Sequence, residues 1–208
     1  MLHYLEVGGS ILWVLVLISI GAFAVVLERL VFFSKNEKGV GKTFKDDIIN
    51  LISEKKFLEA ENLCDTKKSC VSSAIKRFIQ KVKNLNKEST EVQYYEYILK
   101  EIVITETAPF ESKLNCLSSI INISPMLGLL GTVTGMIKAF TNISKFGSGD
   151  ATIVADGIAE ALLTTAAGLI IAIPVIVFHS YLNRRLEKME NEIDDIATSI
   201  INILMFGR

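Results

Sequence analysis

The residues with the clearest capacity for chemistry lie in one apolar stretch, Gly157 to Phe178, which reads GIAEALLTTAAGLIIAIPVIVF. It carries a carboxylate, Glu160, and two adjacent hydroxyls one turn later, Thr164 and Thr165. A carboxylate in a membrane span costs about 2.5–3.5 kcal/mol at the bilayer centre, so it faces protein or water instead of lipid. Because threonine hydroxyls both donate and accept hydrogen bonds, this group could relay a proton or solvate an ion.

An alternative interpretation, in which Glu160 has no role in transport, stays open at this point. Near the end of a span, a carboxylate could cap a helix turn or reach the lipid headgroups, and Asp156 is better placed for that role. Glu160, Thr164, Gly168 and Ala172 recur every four residues, so they share one narrow face of a helix. That shared face favours a functional carboxylate.

Three runs without Asp, Glu, Lys or Arg must position these groups: Val7–Leu27, Leu114–Ile137 and Ala161–Asn183. Each exceeds the roughly 20 apolar residues that span a bilayer as a helix. No basic segment precedes the first run and no small-residue cleavage site follows it, so we expect a retained anchor. The fold class predicted is an all-α integral membrane protein with three transmembrane helices.

The positions of lysine and arginine predict the orientation. Residues 34–113 hold 15 of the 22 basic residues, the tail after Asn183 holds four, and few lie elsewhere. The positive-inside rule then places the N-terminus outside and the large loop and tail in the cytoplasm. The predicted segments are 1–33 (N-terminal segment and first span), 34–113 (cytoplasmic helical domain), 114–140 (second span), 141–156 (outer loop), 157–183 (third span) and 184–208 (cytoplasmic C-terminal helix).

Helical periodicity is predicted outside the spans as well. Apolar residues spaced by three and four predict amphipathic helices over 43–52, 58–64 and 71–85, and another that starts near Glu88. The third span continues into a heptad pattern formed by Leu186, Met189, Ile193, Ile196, Ile200 and Ile203. This pattern predicts long cytoplasmic helical extensions packed against helices of this chain or of neighbouring subunits.

The second span carries a stripe of small residues. Gly128, Gly131, Thr132 and Gly135 recur at spacings of three and four, which permits close helix packing in lipid. Gly168 is the matching small residue of the third span. Pro109 and Pro125 are predicted to kink or restart their helix, and Pro174 is predicted to bend the third span.

No sequence motif supports an enzyme activity or a metal site. The sequence contains no phosphate loop, histidine cluster or nucleophile elbow, and Cys64 and Cys70 fit small buried residues better than a metal site. We therefore predict no enzyme activity, no metal, no cofactor and no nucleic-acid partner.

Two stretches then resemble a known family. Ser124–Phe140, SPMLGLLGTVTGMIKAF, followed by GIAEALLTTAAGLIIAIPVIVF, resembles the two signature spans of the MotA/TolQ/ExbB proton-channel family. LERL at Leu27–Leu30 resembles the family's end of the first span. The resemblance is specific over about Ser124–Arg185 and weak over the cytoplasmic loop. Three spans separate the chain from the four-span flagellar branch, and the GSGD loop at Gly147–Asp150 is more similar to the ExbB than to the TolQ branch.

The resemblance implies a subunit of a proton-driven motor in the bacterial inner membrane, with a periplasmic N-terminus. Copies of the chain would form a pentameric ring whose central pore holds two copies of an ExbD-like single-span partner with a transmembrane Asp. In the ExbB branch the motor energises a TonB-like protein for import of siderophores, haem or similar nutrients. Glu160 matches the family's pore carboxylate, and Thr132 and Thr165 match its pore threonines. A TolQ-like motor of the cell envelope and a non-conducting membrane scaffold are the alternatives.

Overall fold

The computed structural model describes residues 9–37, 40–67, 69–83, 92–146 and 151–206. All regular secondary structure in these ranges is helical. The helices are α1 (Gly9–Asn36), α2 (Lys42–Ser53), α3 (Phe57–Thr66), α4 (Cys70–Lys83), α5 (Val92–Phe146) and α6 (Ala151–Phe206).

Three of these helices are long and apolar enough to cross a membrane, judged by length and composition. They are α1, α5 and α6, with 28, 55 and 56 residues. At 1.5 Å per residue, α5 and α6 are each about 80 Å long, far more than the roughly 30 Å of a bilayer's apolar core. The prediction of three apolar helices with long extensions is therefore confirmed. The orientation of the termini stays a prediction.

The helices predicted from periodicity over 43–52, 58–64 and 71–85 are confirmed as α2, α3 and α4. The helix predicted to start near Glu88 is described from Val92 onward, and Glu88, Leu85 and the Gly147–Asp150 loop lie outside the described residues. Helix α5 runs through Pro109 and Pro125 without a restart. The kinks predicted at Pro125 and Pro174 stay predictions.

The chain divides into two compact units. The first is built from Met1–Arg29 and Lys113–Tyr181, as far as these are described. Its outer surface is largely apolar, with exposed side chains such as Leu17, Val133 and Ile170. Lipid, or other membrane helices, has to cover such a surface. At one end of this unit, Glu28 pairs with Arg29 and Lys113, each at 2.8 Å.

The second unit comprises Leu30–Ser112 and Leu182–Arg208. Its core is assembled from the apolar faces of the amphipathic helices, including the fully buried Ile48, Ile75 and Phe78. The aromatic ring of Phe33 packs edge-on against Phe110, with 5.1 Å between centroids. The first five heptad residues of α6, from Leu186 to Ile200, are buried here, so the packing predicted for the heptads is confirmed within this chain.

The cysteines of this unit are unreactive because they are buried. Cys64 and Cys70 are buried, as predicted, and loss of hydration raises the pKa of each thiol to about 12. A thiol with such a pKa is almost entirely protonated at neutral pH, so it is a poor nucleophile and a poor metal ligand.

One acidic side chain of the second unit is placed unfavourably. Glu190 is partly buried, and this desolvation raises the pKa of its carboxyl group. The nearby carboxylates of Glu111, Asp194 and Glu187 raise the pKa further, whereas a hydrogen bond from Thr107 opposes them. A folded-state pKa above the unfolded value means that the protonated acid is the form which suits the fold. The stability that it contributes is present at low pH and is lost as the pH rises through the folded pKa.

We therefore expect Glu190→Gln to stabilise the protein at neutral pH. The neutral amide removes the charge that the site disfavours, and a Tm higher by about 2 °C at pH 7 would be an effect of ordinary size for a chain this long. The gain should shrink as the pH falls toward 4, where the wild-type carboxyl group is protonated. Thermal melting at both pH values measures this, with Glu96→Gln as the control at an exposed carboxylate of α5. A lower Tm for Glu190→Gln at pH 7 would contradict the prediction.

Candidate functional site

The candidate site lies in the first unit, where the second span, within α5, packs against the third span, within α6. Glycines allow the two backbones to come unusually close. A Cβ atom added to Gly128 would lie 2.9 Å from the carbonyl oxygen of Thr164, and one added to Gly168 would lie 2.5 Å from that of Ser124. At Gly135 the added atom would lie 2.9 Å from Cβ of Ala161. The small-residue stripes of both spans therefore face each other.

Two of the predicted threonines meet across this contact. The hydroxyls of Thr132 and Thr165 contact each other directly. Thr165 also donates to the carbonyl of Gly128 at 3.1 Å, and Thr132 reaches the carbonyls of Gly128 at 3.2 Å and Ala161 at 3.3 Å. Both threonines keep part of their surface exposed. The pair is therefore a hydroxyl site that is not fully enclosed within this chain.

Thr164 is placed differently from its neighbour. It is 1% exposed, and its side chain abuts the position where a Cβ atom of Gly131 would lie. Its hydroxyl donates to the carbonyl of Ala161 at 2.8 Å. Within this chain Thr164 lies between the two spans, and its predicted part in a proton relay with Glu160 and Thr165 stays a prediction. The adjacent hydroxyls therefore divide into one that packs and one that remains accessible.

Glu160 lies at the end of the same contact and is paired. Its Oε1 is 2.6 Å from Nζ of Lys138, and the side chains are 18% and 57% exposed respectively. The backbone of Gly9, at the start of α1, approaches the same carboxylate so closely that a side chain there would overlap Oε1. Gly9 also has φ +63°, a left-handed conformation that favours glycine. Glu160 is thus held between all three spans.

Sequence reasoning missed Lys138 as the partner of Glu160, because their pairing depends on the register of the two spans. Thr132 faces Thr165 in antiparallel packing, so six residues on from Thr132 should face about five or six residues back from Thr165. Those positions are Lys138 and Glu160. The partner of the carboxylate follows once the register of the two stripes of small residues is known from the structure.

The arrangement is suited to handling a small cation instead of catalysing a reaction. A carboxylate at one end of the contact can accept a proton, and the hydroxyl pair deeper in the span can both donate and accept. The part of the chain that the structure describes contains no group of three or more His, Cys, Asp or Glu residues that could hold a metal ion. Glu160 thus offers a proton acceptor, and Thr132 and Thr165 offer hydroxyl groups, along the contact between the second and third spans.

Comparison with known proteins identifies related chains. The family model described as the MotA/TolQ/ExbB proton channel family matches residues 67–195, which contain the second and third spans. The biopolymer transport protein ExbB-like 1 of Synechocystis is 31% identical over 187 residues, which cover 88% of this chain and 71% of that protein.

Two further relatives match over shorter stretches. The biopolymer transport protein ExbB of Salmonella typhimurium is 39% identical over 85 residues, 41% of this chain and 35% of the relative. The Tol-Pal system protein TolQ of Haemophilus influenzae is 36% identical over 107 residues, 50% of this chain and 46% of the relative. The similarity to both branches is thus of comparable strength. Since the family model covers more than half of the sequence, the chain belongs to the MotA/TolQ/ExbB proton channel family.

Proposed function

We propose that the chain is an ExbB-like subunit of an inner-membrane motor driven by the proton-motive force. The carrying observation is Glu160, a carboxylate held between three apolar helices on the same helix contact as the Thr132–Thr165 hydroxyl pair. Membership of the family makes the chain a multi-pass inner-membrane protein and a transport component, with no catalytic activity indicated.

The proposal places the N-terminus in the periplasm and the C-terminus in the cytoplasm. Spans one to three then lie within 1–33, 114–140 and 157–183, and the remaining helices lie in the cytoplasm. Glu160, Thr132 and Thr165 form the proton pathway, and Gly128, Gly131, Gly135, Gly168 and the buried Thr164 pack the spans. A closed pathway needs further groups, because one carboxylate does not cross about 30 Å of bilayer.

The further groups that the pathway needs come from other chains of an assembled complex. Several copies of the chain, five by the family pattern, surround a central pore that holds an ExbD-like single-span partner with a transmembrane Asp. The apolar outer surface of the first unit supports association, since it needs lipid or further membrane helices as its surroundings. The motor then energises a TonB-like protein for outer-membrane import of siderophores, haem or similar nutrients.

A TolQ-like motor of the Tol-Pal system is the second candidate. The match to the Haemophilus TolQ protein is longer than that to the Salmonella ExbB protein, 107 against 85 residues. The non-conducting scaffold is less well supported. Its recruiting element would be the heptad face of α6, and the side chains from Leu186 to Ile200 are already buried within this chain.

The two motors are distinguished by the phenotype of a strain that lacks its own copy of the gene. With an ExbB-like role, the strain fails to grow when iron is supplied only as a ferric siderophore, and the wild-type chain restores growth. With a TolQ-like role, growth on that iron source is normal, whereas detergent sensitivity and chained cells appear. Normal growth, normal detergent resistance and normal division together would contradict both motors and leave the scaffold.

A further inference from the structure

Lys138 is the residue of the site to which the proposed function gives no role. It comes from the second span and contacts Glu160 of the third, with 2.6 Å between Nζ and Oε1. Among the described residues it is the cation paired with this carboxylate. The side chain of Lys138 is 57% exposed, so its ammonium group approaches the carboxylate from the side that the packed spans leave uncovered, here called the open side.

The pair is held in register by the packing around it. On one side, a Cβ atom at Gly135 would lie 2.9 Å from Cβ of Ala161, and on the other, one at Gly157 would lie 2.7 Å from Cβ of Ala139. Both contacts show that the two backbones approach closely here, and this close packing brings Lys138 and Glu160 together.

The pair has a direct consequence for access to the carboxylate. The ammonium group occupies Oε1, and the backbone of Gly9 lies against the same oxygen. A proton or another cation that arrives from the open side therefore meets a positive charge in the position it would take, and like charges repel. The lysine side chain is long and flexible, so it can withdraw without movement of the helices.

We propose that Lys138 is a displaceable counter-ion that closes Glu160 to the outside while the motor is at rest. It is a positioning residue, because it acts on the transported cation only through Glu160. The inference rests on the proposed role of Glu160 in the proton pathway. It adds a gate to that pathway: the ammonium group must leave the carboxylate before a proton is taken up.

The test is the rate at which a carbodiimide modifies Glu160 in native membranes. Dicyclohexylcarbodiimide adds to an oxygen of a carboxyl group, and the ammonium group of Lys138 occupies Oε1 of Glu160. Mass spectrometry of the peptide that contains Glu160 follows the modification with time. We expect Lys138→Met to speed it about tenfold or more, the lower end of what a hydrogen bond between charged groups contributes. Lys138→Arg should retain the wild-type rate, because it keeps the charge.

Controls separate closure from loosened packing. Lys113→Met, which removes a lysine paired with Glu28 in this unit, should leave the rate at Glu160 unchanged. Asp156, exposed one turn earlier on α6, is the internal reference. Should Lys138→Met not assemble, Lys138→Gln removes the same charge with a polar side chain. An unchanged rate at Glu160, an equal acceleration at Asp156, or a fast rate in Lys138→Arg would each overturn the proposal.

The two proposals fail in different ways. Protection by Lys138 can be measured whether or not Glu160 carries the coupling ion, since the chemical readout needs no working motor. If Glu160→Gln supports normal growth, Glu160 has no role in a proton pathway, but the labelling measurement remains valid. If Glu160→Gln abolishes growth and the labelling rate at Glu160 does not depend on Lys138, the proposed gate is wrong and the proposed motor function is supported.

Discussion

Glu160→Gln should abolish energised transport while the protein remains assembled in the membrane. Glutamine has nearly the same shape as glutamate, and its amide oxygen can still accept a hydrogen bond from Lys138. It cannot take up and release a proton. If Glu160 is the coupling carboxylate, growth on a ferric siderophore should fall to the level of the strain without the gene, and proton flux through the assembled complex should fall to background.

The measurement needs proof of assembly beside the loss of function. Membrane abundance and co-purification with the partner chain are therefore scored in the same cells as growth. Asp156→Asn is the matched control, because it neutralises an exposed carboxylate one turn away on the same helix. We expect this control to grow normally.

The scaffold alternative makes the opposite forecast. It expects Glu160→Gln to grow like wild type, and damage to the heptad face to be severe. Ile193→Asp provides that damage, since Ile193 is fully buried in the second unit and a carboxylate there would be desolvated. Normal growth of Glu160→Gln would therefore end the pore-carboxylate argument. A loss of growth in Ile193→Asp alone, with Glu160→Gln intact, would favour the scaffold.

The coupling ion is tested in the same assay by replacing sodium in the medium. The carboxylate and hydroxyls alone could serve protons or sodium. Because the family model that matches the chain describes a proton channel family, we expect protons to be the coupling ion. Growth that is independent of sodium is the expected result.

The elements of this fold could be predicted because their signals are local in sequence. Charge-free runs identify the apolar helices, and spacings of three and four identify the amphipathic ones. The heptads of α6 even predicted burial correctly, from Leu186 to Ile200. Such patterns depend on one helix at a time, so no knowledge of neighbours is required.

The site could be predicted only in part, because it depends on how two helices are rotated and aligned. A spacing of four places Thr164 below Glu160, but it does not decide whether Thr164 or Thr165 remains accessible. The structure buries Thr164 and leaves Thr165 partly exposed beside Thr132. The Lys138–Glu160 pair likewise depends on the register between spans, which the glycine contacts determine.

That dependence makes Gly168→Ala the second change with a large expected effect. A single methyl group at this position would lie 2.5 Å from the backbone carbonyl oxygen of Ser124. Backbone cannot turn aside as a flexible side chain can, so the two spans would have to separate by roughly 1 Å to reach an ordinary contact of about 3.5 Å. Separation would weaken the bonds across the spans, from Thr165 to the carbonyl of Gly128 and from Thr132 to the carbonyl of Ala161.

We expect Gly168→Ala to cost about 2 kcal/mol, the middle of the range for overpacking, and to lower Tm by about 4–8 °C for a chain of this length. Thermal melting of the purified protein in detergent measures the change. Gly21→Ala is the matched control, since an added Cβ there meets nothing within 4 Å. That control replaces glycine by the better helix former at an exposed helical site, so it should melt at or above the wild-type temperature. If Gly168→Ala melts with Gly21→Ala, the spans do not pack at backbone distance, and the register that pairs Lys138 with Glu160 loses its physical basis.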